Sequence, residues 1–173
     1  ESLVLRGWQR AGAWTALFGT DLTGGDYAKP DAIYAATPGN EPNQPPSSRP
    51  AETISALAAR RGLTPNQGFG KGDEPALMKA ILASKGVVLL CWEHKAIISD
   101  ILPLIPVSKG TPPTKWEGSR FDVVLRFERA KTLLSDEQWP VYRIAEVLGF
   151  SETASFRHAF QRWSGVPPSR FRA

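Results

Sequence analysis

The chain has 173 residues, 42% apolar and 22% charged. That is the length of one ordinary domain or two small ones, with enough apolar matter to bury a core, so wholesale disorder is excluded. Twenty-one Lys and Arg against 17 Asp and Glu give a net charge of +4, which permits an anionic partner without demanding one.

The longest uninterrupted apolar run, residues 87–92, is far short of the ~18 residues a membrane-crossing helix requires. No basic stretch followed by an apolar one opens the chain, so neither a secretory leader nor a membrane partner is expected. The first residue is Glu1 rather than Met, an opening compatible with a start upstream. Cys91 is the lone cysteine, which forbids an internal disulfide and a Cys-rich zinc site. The two histidines, His94 and His158, are too far apart for a His-x-x-x-His pair, so no metal or cofactor is expected, and a reducing cytoplasm is the expected compartment.

In chain order, residues 6–18 predict a helix, with Trp8 or Gln9 leading to Ala11, Ala13, Trp14 and Leu17 at helical spacing. Residues 32–36 form an apolar run of strand length. Residues 38–50 carry Pro38, Pro42, Pro45, Pro46 and Pro50 and must be a loop, because proline neither continues a helix nor donates to a ladder. A second helix follows over 50–61, with Ile54, Leu57 and Ala58 on one face and Gly62 as its stop. Asp73 caps a third over 74–85, with Leu77, Ala80 and Ile81 inward and Gly86 as the stop. The run 87–92 suits a strand buried on both faces, a helix over 96–102 follows, and 121–127 predicts a last strand. Strands alternating with helices argue for a mostly parallel α/β layer. From 128 onward only helices are expected, over 128–134, 141–148 and 152–164.

The segment from Val141 to Trp163 is the most informative. Ile144, Ala145 and Leu148 share one face of a helix, small Ala145 admits a close neighbour, Gly149 supplies a tight turn, and Phe150 plugs the corner. Phe156, Phe160 and Trp163 form the inward face of the next helix, which is the arithmetic of a helix-turn-helix. Its other face carries Thr153, Arg157, His158, Gln161 and Arg162, groups able to meet base edges and phosphates in a major groove. Five arginines (Arg143, Arg157, Arg162, Arg170, Arg172) against Glu146 and Glu152 make residues 143–173 locally basic. Arginine-rich surfaces are also often merely solvated, and three helices with aromatic faces also serve as plain packing elements.

The string Ile144-Ala145…Leu148-Gly149-Phe150-Ser151…Phe156…Phe160…Trp163…Gly165…Pro167-Pro168…Phe171-Arg172 resembles the second helix-turn-helix of AraC-type transcription regulators. Upstream, Ala130-Lys131…Leu133-Leu134 resembles the helix leading into it. The resemblance covers about 45 residues and implies duplex DNA as partner, with Thr153, Ser155, Arg157 and His158 touching it, and Arg162 on the same outward face. Members of that family bind with two such modules, and the first is absent here. Since phosphate contacts accumulate affinity one by one, a single module should bind weakly unless the chain dimerises.

The earlier portion offers His94 after the strand 87–92 and Arg49 between the strand near Ala35 and the helix from Pro50. Both addresses are the carboxyl ends of parallel strands, where α/β proteins hold anions, so Arg49 and His94 form a candidate phosphate cradle for a phosphate-bearing small molecule. Taken singly, a lone histidine is more often a capping or packing group.

Leu3…Arg6-Gly7…Arg10-Ala11, Ser48-Arg49-Pro50-Ala51-Glu52-Thr53, Trp92-Glu93-His94 and Trp116…Arg120-Phe121-Asp122-Val123-Val124 together resemble the histidine phosphatase superfamily, over roughly residues 3–127. The resemblance implies an α/β, phosphoglycerate-mutase-like fold in which Arg49 and His94 hold the phosphoryl group, His94 as its second histidine. The family's nucleophile, a histidine in an Arg-His-Gly motif on the first strand, has no counterpart in this sequence, and without it covalent catalysis is lost.

The expected architecture is thus an incomplete phosphoglycerate-mutase-like, mostly parallel sheet with flanking helices over 1–127, lacking its first strand, followed by a small all-α helix-turn-helix unit over 128–173. A natural fusion, an incomplete reading frame and a chimera all fit it. Two functions follow: a DNA-binding regulator with a catalytically silent α/β part, or a phosphomonoester hydrolase whose nucleophile lies outside the chain. A fragment without independent function is the third.

Overall fold

A computed structural model describes residues 1–20, 27–39, 46–105, 107, 111–127, 133–134, 138–148 and 150–172. The chain divides into two compact units, Glu1–Ile105 with Thr114–Trp116, and Pro106–Pro113 with Glu117–Ala173. No described helix is long and apolar enough to cross a membrane.

The first unit opens with α1, Leu5–Gly19, which packs against α2, Arg49–Arg61. α1 buries Ala11 and Phe18, with Trp14 and Leu17 half-covered, whereas Trp8 and Ala13, expected inward, are exposed. Phe18 anchors the buried side through an aromatic run, 6.0 Å from Trp14 and edge-on to Tyr27 at 5.2 Å. α2 buries Ile54, Leu57 and Ala58 as its spacing predicts. It ends on Gly62 in the left-handed region, φ 64°, whose N–H returns to the carbonyls of Ala58 and Ala59.

Strands β1, Ala32–Ala35, and β2, Val88–Cys91, pair in parallel, with Ala32 opposite Val88 and Ala35 opposite Cys91. The pair lies between two apolar clusters. Ile33, Ala35, Leu89 and Cys91 face Phe18 and the α2 residues, while Tyr34 and Leu90 join Leu77, Met78, Trp92, Ala96 and Ile101. β2 is therefore packed on both faces as expected, yet its residues are only half-buried, since a two-stranded sheet supplies little lateral cover.

α3, Glu74–Ala83, ends two residues earlier than the periodicity suggests, where the Ser84 hydroxyl donates back to the Ala80 carbonyl at 2.9 Å. Asp73 does not cap it through its side chain; its carboxylate accepts from the Gly70 N–H at 2.9 Å instead. The helix expected over 96–102 begins at His94, because the Glu93 carboxylate accepts from the N–H groups of Lys95 and Ala96, both at 2.9 Å. This segment, α4, runs as an α-turn over His94–Ala96, widens to a π-turn over Ile97–Ile101 and tightens to a 3-10 turn at Leu102–Leu104.

The mostly parallel sheet expected from sequence is, among the described residues, this single pair, and the last strand expected over 121–127 is not formed. An apolar run becomes a strand only where a sheet edge receives it. Residues 121–127 belong instead to the second, helical unit, where Phe121 stands 55% exposed.

In that unit α5, Val141–Val147, α6, Thr153–Ser164, and α7, Pro168–Phe171, enclose a core of Leu134, Ile144, Ala145, Phe156 and Phe160. Of the helix expected over 128–134, Leu133 and Leu134 are helical; residues 128–132, including Ala130 and Lys131, lie outside the described set, as do Gly149 and the side chain of Trp163. α7 was not anticipated from periodicity, being too short to show any; its sign is Pro168 in the first turn.

Candidate nucleic-acid interface

The order α5, tight turn, α6 is a helix-turn-helix built on an aromatic spine. Phe150 meets Phe156 at 5.4 Å, Phe156 meets Phe160 at 5.8 Å, and Phe160 meets Phe171 edge-on at 5.5 Å. Phe156 and Phe160 are 0% exposed. The Phe150 N–H donates to the Ala145 carbonyl at 2.8 Å, which closes the corner that small Ala145 leaves room for. Gly165, φ 80°, ends α6 and returns its N–H to the Gln161 carbonyl at 3.0 Å.

With the inward arc filled, the outward one is fixed. At ~100° per residue, Ala154, Ser155, Arg157, His158, Gln161 and Arg162 fall on one arc of roughly 160°, and all six are exposed. Thr153 sits at its margin and is half-buried. Ser155, Arg157, His158 and Arg162 therefore share one open face, with Thr153 at its edge. α6 contains no acidic residue, and neither Arg157 nor Arg162 has an ion-pair partner among the described residues. Such a surface offers cations for phosphates and hydrogen-bonding groups for base edges. Ala154, overlooked when only polar groups are counted, lies within the arc, where a methyl group is suited to a thymine methyl.

The structure also sorts the five arginines that make this end basic. Arg143 is paired with Glu146 one turn on, at 2.6 Å. Arg172 is half-buried and donates to main-chain carbonyls. Arg157, Arg162 and Arg170 are exposed, as Arg143 is, but have no carboxylate partner among the described residues.

In the first unit, Arg49 is the first residue of α2 and His94 the first of α4. Each already faces a carboxylate: Arg49 pairs with Glu1, and His94 Nδ1 lies 3.1 Å from Glu93 Oε1. The Arg49 side chain is half-exposed and that of His94 about one-third exposed. Among the described residues, no group of three or more His, Cys, Asp or Glu is placed to hold a metal ion. Nearby, burial pushes the Cys91 thiol up to about 12, against a smaller opposing effect of the Thr53 hydroxyl.

Residues 123–173 match the family model for a helix-turn-helix domain. The chain is 57% identical over 47 residues to the HTH-type transcriptional regulator VqsM of Pseudomonas aeruginosa, a match covering 27% of this chain and 14% of that protein. It is 40% identical over 58 residues to the ornithine utilization regulator of the same species, covering 32% and 17% respectively. The chain thus spans well under a quarter of the length of either relative. No solved structure matches it.

Proposed function

We propose that this chain acts as a sequence-specific, DNA-binding transcription regulator of the AraC type, with α6 as the groove-reading helix. The observation that carries the reading is the division of α6 into a sealed aromatic side and an open side bearing Arg157, His158, Gln161 and Arg162 without a carboxylate. It lies within a segment that matches a helix-turn-helix model and two regulators. In this role Arg157 and Arg162 neutralise phosphates or take up guanine, while Thr153, Ser155, His158 and Gln161 meet base edges or phosphates.

A gel-shift titration of the full chain with duplex DNA from 50 to 300 mM salt tests it. Retardation that weakens steeply with salt is expected, with Arg157→Ala binding more weakly; no retardation at the lowest salt would sink the reading. One module per chain makes the affinity modest unless two chains bind together.

A second reading concerns the first unit, because Arg49 and His94 each start a helical element after a strand of a parallel pair. In this reading the unit is a phosphatase-like remnant that retains a phosphate-bearing small molecule and does not turn it over, since the sequence holds no Arg-His-Gly nucleophile. Turnover of a generic phosphomonoester above the buffer rate, abolished in His94→Ala, would replace it with an active hydrolase.

A further inference from the structure

Phe171 and Arg172 belong to the C-terminal string that the sequence singles out, yet the outward arc of α6 gives neither a task. Arg172 is half-buried. Its Nε donates to the Leu134 carbonyl at 3.1 Å and an Nη donates to the Trp139 carbonyl, partners 38 and 33 residues earlier. Those two residues flank the approach to α5, and Leu134 is fully buried among Ile144, Phe156 and Phe160. The preceding residue, Phe171, stacks edge-on against Phe160 of α6. Two adjacent residues thus make different ties: Phe171 packs against α6, and Arg172 holds the main chain at Leu134 and Trp139, in the segment that leads into α5. A guanidinium suits this position because its planar fork serves two acceptors at once, which an ammonium does not reproduce.

The angle between the helices decides what α6 can read. A tilt of about 10–20° displaces the far end of a helix ~18 Å long by about 3–6 Å, one base-pair step or more. We propose that Arg172 is a positioning residue, fixing the angle of α6 against α5 and thereby setting discrimination between DNA sequences without touching DNA. The inference rests on the DNA-reading function proposed above.

The test begins by selecting a preferred duplex from a random 30-base-pair pool with the wild-type chain. Affinities for that duplex and for a scrambled one are then measured across a salt titration for wild type, Arg172→Ala, Arg172→Lys and Arg170→Ala. Arg172→Ala is expected to lower the selected-to-scrambled affinity ratio about tenfold, the scale of one mismatched base pair, while the slope of log affinity against log salt stays at the wild-type value. Arg172→Lys, which keeps the charge and the fold by circular dichroism but loses the fork, should show the same fall. Arg170→Ala, which removes an exposed neighbouring charge, should keep the ratio.

An unchanged ratio in both Arg172 variants overturns the proposal. So does an equal loss on both duplexes, which marks a purely structural residue, or a slope shallower by about 1, which marks a phosphate contact. A wild-type chain that binds no duplex overturns the underlying function instead.

Discussion

Removing the Arg157 guanidinium deletes a cation that no carboxylate of the described structure neutralises, so under the proposed function its loss should read out as a lost nucleic-acid contact. If it meets a phosphate, Arg157→Ala should flatten the dependence of log affinity on log salt by about 1, as measured by fluorescence anisotropy. Arg143→Ala is the contrast: Glu146 already pairs with it, the pair is exposed, and its removal should alter stability by no more than about 0.5 kcal/mol. Counting charges treats these arginines alike; the i,i+3 spacing of Arg143 and Glu146 on one helix already offers their pairing, whereas the inward path of Arg172, to carbonyls 38 and 33 residues earlier, is not encoded in spacing. At Cys91 the raised thiol should make alkylation slow at pH 8 in the folded chain and fast after denaturation, a difference that a thiol-reagent time course records. Glu52 titrates in the opposite sense. The Ser2 hydroxyl and then the Leu3 N–H donate to its carboxylate and hold it below its ordinary value, so the tie between residues 2–3 and α2 is complete above about pH 4.5 and is lost as pH falls through the lowered value. The protection factor of the Leu3 amide, its exchange rate corrected for the intrinsic pH dependence, should fall correspondingly in acid.

Helices were legible wherever periodicity and a stop coincide. α2 differs from expectation by one residue because proline near its start and Gly62 at its end are local instructions, and α6 is bounded in the same way by Gly165. Strands were legible only where a partner exists, and partnership is non-local: the wholly apolar runs at β1 and β2 found each other, whereas 121–127, interrupted by Asp122 and Arg126, found no edge. A glycine shows how local such instructions are. Gly165 stands at φ 80° with open space where a Cβ would sit, so Gly165→Ala should cost about 1 kcal/mol from backbone conformation alone, read as a lower denaturant midpoint with an unchanged m-value. Gly86, at φ 74°, is stricter, since a Cβ there would run into the Asp31 carboxylate that accepts from the Val87 N–H.

Across the molecule, the passage from strands alternating with helices to helices alone is visible as a change in sequence pattern, while the extent of the sheet is not. The candidate DNA face was readable for the same reason as α6 itself: one periodicity places the aromatic residues inward and the cations outward. Arg49 and His94 were readable only as addresses, since the carboxylates of Glu1 and Glu93 that face them depend on the fold. Two compact units, each with its own core, predict that a defect in one is felt there first. Phe160→Ala, which empties a fully buried aromatic site touching Phe156 and Phe171, should cost about 3–5 kcal/mol. Amide protection should fall over α5–α7 while persisting in α2 and α3.

The shortness of α6 also has an informational consequence. Twelve residues advance only ~18 Å, about five base-pair steps at ~3.4 Å each. A five-letter word recurs by chance roughly once per thousand positions, and a genome presents on the order of 10⁶ or more competing positions. In the proposed role, one copy of α6 therefore spells too short a word to single out an address, and any unique address must be composed from several words read together.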